Sequence, residues 1–112
     1  MDDDAGRTEA GRLALVLTTE GDTERASQLA ETLIDRRIAA CVTMQEIRSL
    51  YRWEGEVVED AEVQLVIKTD VATVPSVRAT IDELHSYDLP EIVVLDASAS
   101  AESARWVAGE VV

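Results

Sequence analysis

Apolar and polar positions alternate along this chain between two periods, and the switches divide it into elements. Leu13-Ala14-Leu15-Val16-Leu17-Thr18-Thr19 is a continuous apolar run, which predicts a strand covered on both faces. Glu20-Gly21-Asp22 then turns, with Asp22 suited to cap a helix because its carboxylate accepts free N–H groups. Ala26, Leu29, Ala30, Leu33, Ile34 and Ile38 recur at steps of three and four against Glu24, Arg25, Gln28, Glu31, Asp35 and Arg36, an amphipathic helix. From Cys41 to Trp53 the pattern becomes β-like, and its imperfect alternation between Met44 and Ile47 suggests a bulge or bend. Gly55 marks a reversal into a second long strand, Val57 to Thr69, with Val63, Leu65 and Ile67 on one face and Glu62, Gln64, Val66 and Lys68 on the other.

Thr73 is placed to cap a second helix, with Pro75 tolerated in its first turn and Val74, Val77, Ile81 and Leu84 as its buried stripe. Ile92-Val93-Val94-Leu95 reads as a fourth strand. Ser98 or Ser100 then opens a last helix carrying Ala101, Ala104, Trp106, Val107 and Val111. The order β-α-β-β-α-β plus a terminal helix is the α+β, ferredoxin-like split βαβ motif. Its two long central strands exceed what one helix covers, so their outer ends are expected to pair with another subunit. Residues 1–11, with Asp2-Asp3-Asp4 and little apolar content, read as a disordered acidic tail, and residues 12–112 as one domain.

Composition narrows the function classes. Phenylalanine is absent and aromatics are 4% of the 112 residues, so the core must come from Val, Leu, Ile and Ala. Acids outnumber bases 23 to 10, a net charge of −13, and Lys68 is the only lysine. Such a field repels nucleic-acid phosphate and anionic membrane, so neither is an expected partner. The bland explanation is a solvated acidic surface suited to a salt-rich cytoplasm. One cysteine cannot form an intrachain disulfide, the N-terminus is acidic where a signal peptide would be basic, and no apolar run approaches the ~20 residues of a membrane span. The expectation is a cytoplasmic protein.

Chemistry-bearing residues are few. His85, the single histidine, falls at the end of the second helix, where it can bond free carbonyls; a metal ligand or a polar contact in a cleft is the sharper reading. Pro90 extends Leu89 and fixes where Glu91 emerges, either as a carboxylate partner of His85 or as a solubilising strand-edge acid. Cys41 behaves as a small buried hydrophobe unless partners make it a soft-metal ligand. Tyr51 and Trp53 share a face near the hairpin tip, suited to a subunit interface or a pocket wall. Lys68 suits an ion pair with Glu62 or an anionic ligand. No CxxC, HxxxH, HExxH, GxSxG or phosphate-cradling loop occurs, so nothing indicates an enzyme, and a metal site would have to be assembled from distant segments or across subunits.

Ala39-Ala40-Cys41-Val42, Tyr51-Arg52-Trp53-Glu54-Gly55, Glu62-Val63 leading into Ile67-Lys68-Thr69, Leu84-His85-Ser86-Tyr87-Asp88-Leu89-Pro90-Glu91-Ile92 and Trp106-Val107 together resemble the CutA family of small divalent-cation tolerance proteins, from about Leu13 to Val107. The resemblance implies a compact homotrimer joined through the long hairpin strands. It also implies a non-enzymatic role in divalent-cation tolerance, copper being the ion most associated, with no cofactor required. Cys41, His85 and Glu91 match positions proposed for metal contact; Tyr51, Trp53, Glu62, Lys68 and Tyr87 match positions lining the intersubunit cleft. The chain departs from the family pattern at Thr43, Arg52 and Glu54, and carries His85-Ser86-Tyr87 where His-Pro-Tyr is common. The alternative function is a signalling trimer, similar in architecture to the PII proteins, with a small molecule in the cleft.

Overall fold

The computed structural model describes residues 11–112. Strands β1 (Gly11–Glu20), β2 (Cys41–Trp53), β3 (Glu56–Thr69) and β4 (Val93–Ala99) form one sheet in the order β2-β3-β1-β4, each neighbouring pair antiparallel. Helices α1 (Thr23–Asp35) and α2 (Val74–Leu84) cover one face, and α3 (Ala101–Glu110) follows β4. This is the ferredoxin-like α+β fold. The acidic tail read from the sequence lies outside the described residues except for Gly11, which belongs to β1.

The period-2 pattern explains which face is buried. Val16 stands opposite Ile67, and Glu20 opposite Val63, so one face of β1 and β3 meets Ala26, Leu29, Ala30 and Leu33 of α1 and Val77 and Ile81 of α2. Leu33, Leu65, Ile67 and Ile81 are fully buried there. The other face carries Leu15 and Leu17 of β1, Val66 of β3 and Val93 and Leu95 of β4, and none of the described elements covers them fully. On β1 itself Leu13 and Thr19 of this face are buried and Leu15 and Leu17 half-buried, so the expected cover on both faces is met at the strand's ends and only in part at its middle.

Local chemistry sets the element ends. Asp22 caps α1 through Arg25 N at 2.8 Å. Beyond α1, Arg37 adopts a left-handed φ of 58° while its N–H reaches Ile34 O and the Ile38 N–H reaches Leu33 O, the pair of bonds that closes a helix C-terminus. The expected cap of α2 is displaced: Asp70, not Thr73, accepts from Thr73 N and Oγ1, capping a single 3-10 turn (Val71–Thr73) that leads into α2. Leu84 is exposed rather than part of the buried stripe, because α2 ends as it clears the sheet. Ser100 caps α3.

The β2–β3 hairpin pairs without interruption from Cys41 opposite Lys68 to Trp53 opposite Glu56, so the bulge expected near Met44 is absent. Polar residues such as Gln45 break the alternation without breaking the ladder, since this part of β2 is exposed. Glu54 and Gly55, at φ 51° and 83°, make a two-residue turn of the mirror-image type that matches strand twist. β1 pairs with β3 only from Val63 to Thr69, leaving the hairpin tip projecting beyond the rest of the sheet.

Candidate functional site

Register places Tyr51 and Trp53 of β2 on the same hairpin face as Asp60 and Glu62 of β3. This is the uncovered face of the sheet, and the segment after α2 crosses its hairpin end. Together they enclose a cleft of about 540 Å³ lined by Thr19, Tyr51, Trp53, Asp60, Glu62, Tyr87, Asp88, Leu89 and Glu91. Asp60, Glu62, Asp88 and Glu91 bring four carboxylates, and among the described residues no lysine or arginine lines the wall. Tyr51, Trp53 and Tyr87 supply aromatic sides.

Each tyrosine is tied to an acid. The Tyr87 hydroxyl donates to Glu62 Oε2 at 2.8 Å, and the Tyr51 hydroxyl donates to Asp60 Oδ2. Burial, then the bond to Glu62 and the charges of Glu62, Glu20 and Asp60, raise the Tyr87 phenol above its ordinary range. The bond to Asp60 is the main cause of a raised Tyr51 phenol. Both therefore remain donors, and each leaves its carboxylate with acceptor capacity facing the cleft.

His85 sits behind the cleft wall. Its side chain is wholly buried, and Nε2 lies 2.5 Å from the Thr19 carbonyl, which can only accept, so Nε2 donates. Nδ1 accepts the Tyr87 N–H at 3.0 Å, and the two rings lie 4.8 Å apart between centroids. With both nitrogens engaged, the ring acts as a latch between β1 and the cleft segment, and a metal on it would displace one of these bonds.

Of the residues expected to hold metal, Glu91 lines the cleft and His85 stands behind it, while Cys41 lies elsewhere. Cys41 opposes Lys68 at the other end of β3, six positions from Glu62, about 20 Å along an extended strand. Cys41, His85 and Glu91 are thus not brought together within one subunit. Lys68, expected in the cleft, is half-buried beside Cys41, too far for an ion pair with Glu62. Among the described residues, no three His, Cys, Asp or Glu side chains converge tightly enough to hold a metal ion. Asp60 and Asp88 went unread; Asp60 was legible as the acid two positions before Glu62, on the same face. Glu20, read only as part of a turn, is buried and bonded to Ser86.

A ferredoxin-like subunit with an open sheet face, a projecting hairpin and an acidic, aromatic-walled cleft beside it defines the class: a small α+β protein of the ferredoxin-like type. The family model for "CutA1 divalent ion tolerance protein" matches residues 14–110, and the chain belongs to that family. The divalent-cation tolerance protein CutA of Thermus thermophilus is 40% identical over 95 residues, spanning 83% of this chain and 92% of the relative. The crystal structure of CutA1 from Pyrococcus horikoshii superposes with a TM-score of 0.85 at 34% identity, covering 88% of this chain and 98% of that one. A structure described as the PII-like protein CutA from Nostoc in apo form gives 0.84 at 33% identity, covering 88% and 97%. No described helix is long and apolar enough to cross a membrane.

Proposed function

We propose that this chain contributes to divalent-cation tolerance by binding, without turnover, as a homotrimer whose subunits meet through the uncovered sheet face and the projecting hairpin. The cleft then lies at a subunit boundary, where residues of a neighbouring copy complete a cation site begun by Asp60, Glu62 and Glu91. One observation carries this reading: four carboxylates and, among the described residues, no base line a single cleft on the open sheet face. The donors are oxygens, which suit hard divalent ions; copper or zinc would draw on softer donors such as Cys41 of another copy. A reducing, cytoplasmic setting fits the lone thiol.

Calorimetric titration of chelator-stripped protein with Cu²⁺, Zn²⁺ and Mg²⁺ tests it. Defined stoichiometry that is lost in Glu62→Gln, with the trimer intact, is expected. Weak binding that Glu62→Gln and Glu91→Gln leave unchanged would reduce the cleft to diffuse surface charge. Cys41→Ser separates the copper question, since it weakens Cu²⁺ binding only if the thiol joins the site.

A second reading, a small molecule held in the cleft of a PII-like signalling trimer, is favoured by the Tyr51, Trp53 and Tyr87 walls. With four carboxylates and, among the described residues, no lysine or arginine in the lining, a neutral or cationic ligand fits better than an anion. A thermal-shift screen in which organic anions stabilise the protein and amines do not would count against this version.

A further inference from the structure

Glu20 is the one acidic residue among the described residues that is buried, with its side chain 2% exposed at the end of an apolar strand. A carboxylate there is costly unless donors surround it, and an apolar side chain would fill the place at lower cost. Its donors are specific. Oε1 accepts from Gly21 N at 3.1 Å and from Ser86 Oγ at 2.6 Å, and Oε2 accepts from Ser86 N at 3.1 Å. Ser86 thus gives Glu20 both its backbone and its hydroxyl proton, a two-point grip that neither alanine nor proline reproduces.

What that grip holds is the approach to the cleft. Ser86 lies between His85, latched to Thr19 O, and Tyr87, whose N–H returns to His85. The Tyr87 ring passes beside Gly21, where an added Cβ would stand 3.6–3.7 Å from the phenol, and its hydroxyl ends on Glu62 Oε2. The contacts run unbroken from Glu20 through Ser86 and Tyr87 to a carboxylate of the cleft. We infer that Glu20 and Ser86 are positioning residues: they set where Tyr87 stands and, through it, where Glu62 presents its oxygens. The clamp lies on the opposite side of the segment from the cleft, beside a groove that Glu20 and Ser86 share with Glu24, Arg25, Thr32 and Leu84, so neither residue touches a ligand in the cleft. Their effect on binding is indirect, and the inference rests on the cleft being a binding site.

The test uses the full-length protein in four forms besides the parent: Ser86→Ala, Ser86→Thr, Glu20→Gln and the Glu20→Gln/Ser86→Ala double variant. Two readouts are taken on each, calorimetric Cu²⁺ affinity and the ¹⁹F spectrum of 3-fluorotyrosine protein, whose two tyrosines give two resonances, with Tyr87→Phe assigning one. Loss of a charge-assisted hydrogen bond should weaken binding about tenfold in Ser86→Ala and shift or broaden the Tyr87 resonance while leaving that of Tyr51 in place. Ser86→Thr keeps both donors and restores parental values. The double variant should be little worse than the poorer single one, because both remove the same link. An unchanged Tyr87 resonance in Ser86→Ala, or full additivity in the double variant, overturns the inference. So does a lowered melting temperature with affinity and spectrum intact, which is what a merely structural pair would produce. If the parent itself binds no Cu²⁺, the cation reading fails while the ¹⁹F comparison still decides whether Glu20 and Ser86 hold Tyr87.

Discussion

Val93→Asp is the sharpest probe of the proposed homotrimer. Val93 lies on the uncovered sheet face in a row that runs through Leu17 of β1 and Val66 of β3 to Thr43 of β2, a row without a charged residue. It is 40% exposed in the subunit. Fully burying a valine is worth roughly 2 kcal/mol, so covering the exposed part contributes a little under 1 kcal/mol per subunit and about 2 kcal/mol over a trimer. An aspartate there forfeits that and must also be desolvated, at an effective cost of several kcal/mol per ion with no partner in its row. Three copies together bring the penalty to about 10 kcal/mol, or about seven orders of magnitude in the three-body association constant. The isolated subunit suffers little, since the new side chain stays partly hydrated. Sedimentation equilibrium at micromolar concentration should therefore show monomers with a folded far-UV circular dichroism spectrum, whereas Val93→Ala stays trimeric and only modestly weaker. If Val93→Asp sediments as the parent does at every concentration, the sheet face is not the interface and the assembly must be sought elsewhere.

The remaining expectations concern the subunit. Glu54 holds φ 51° in the hairpin turn, a conformation asparagine adopts more readily, so Glu54→Asn should raise stability by about 0.5–1 kcal/mol in urea denaturation; a loss would show that the Glu54 side chain has an unrecognised role. Gly55→Ala, at φ 83°, should lower it by about 1 kcal/mol or more. Leu65→Ala, at a fully buried position between the sheet and the helices, should cost about 2–5 kcal/mol, and a cost below about 1 kcal/mol would mean that the core collapses around the gap. Both tyrosine phenols are raised in the folded protein, so the stability they contribute is complete below about pH 10 and declines as pH rises beyond it. Absorbance at the phenolate band should show less ionisation at pH 10 in the native protein than the about half expected in denaturant; equal titration in both would mean that neither hydroxyl is held by its acid.

How much of this was legible beforehand depended on the range of the interaction involved. The element order could be read because each element answers to its neighbours in sequence: the steps of three and four in α1, the period of two in β3, the turn at Gly55 and the caps at Asp22 and Ser100 are all local. That Tyr51 and Trp53 share a hairpin face with Glu62 was also within reach, since a hairpin with a two-residue turn makes register a matter of counting. By the same counting, Cys41 and Lys68 had to meet at the far end of the hairpin, away from the cleft. The Asp70 cap was missed because Thr73 and Asp70 are both good caps and only the 3-10 turn between them decides which is used.

Sequence by itself determined the alternation of strands and helices, the long hairpin, the acidic character and the family, because these follow from backbone preferences, side-chain periodicity and motif. The tertiary structure decided which face of the sheet the helices leave uncovered, that both His85 nitrogens are spent on backbone groups, and that Glu20 is buried against Ser86. It also decided that Tyr87, 25 positions from Glu62, comes to rest on that carboxylate. The physical reason is that a hydrogen bond between side chains far apart in sequence leaves no period and no local preference behind. It exists only once the sheet and helices have packed and removed the competing water.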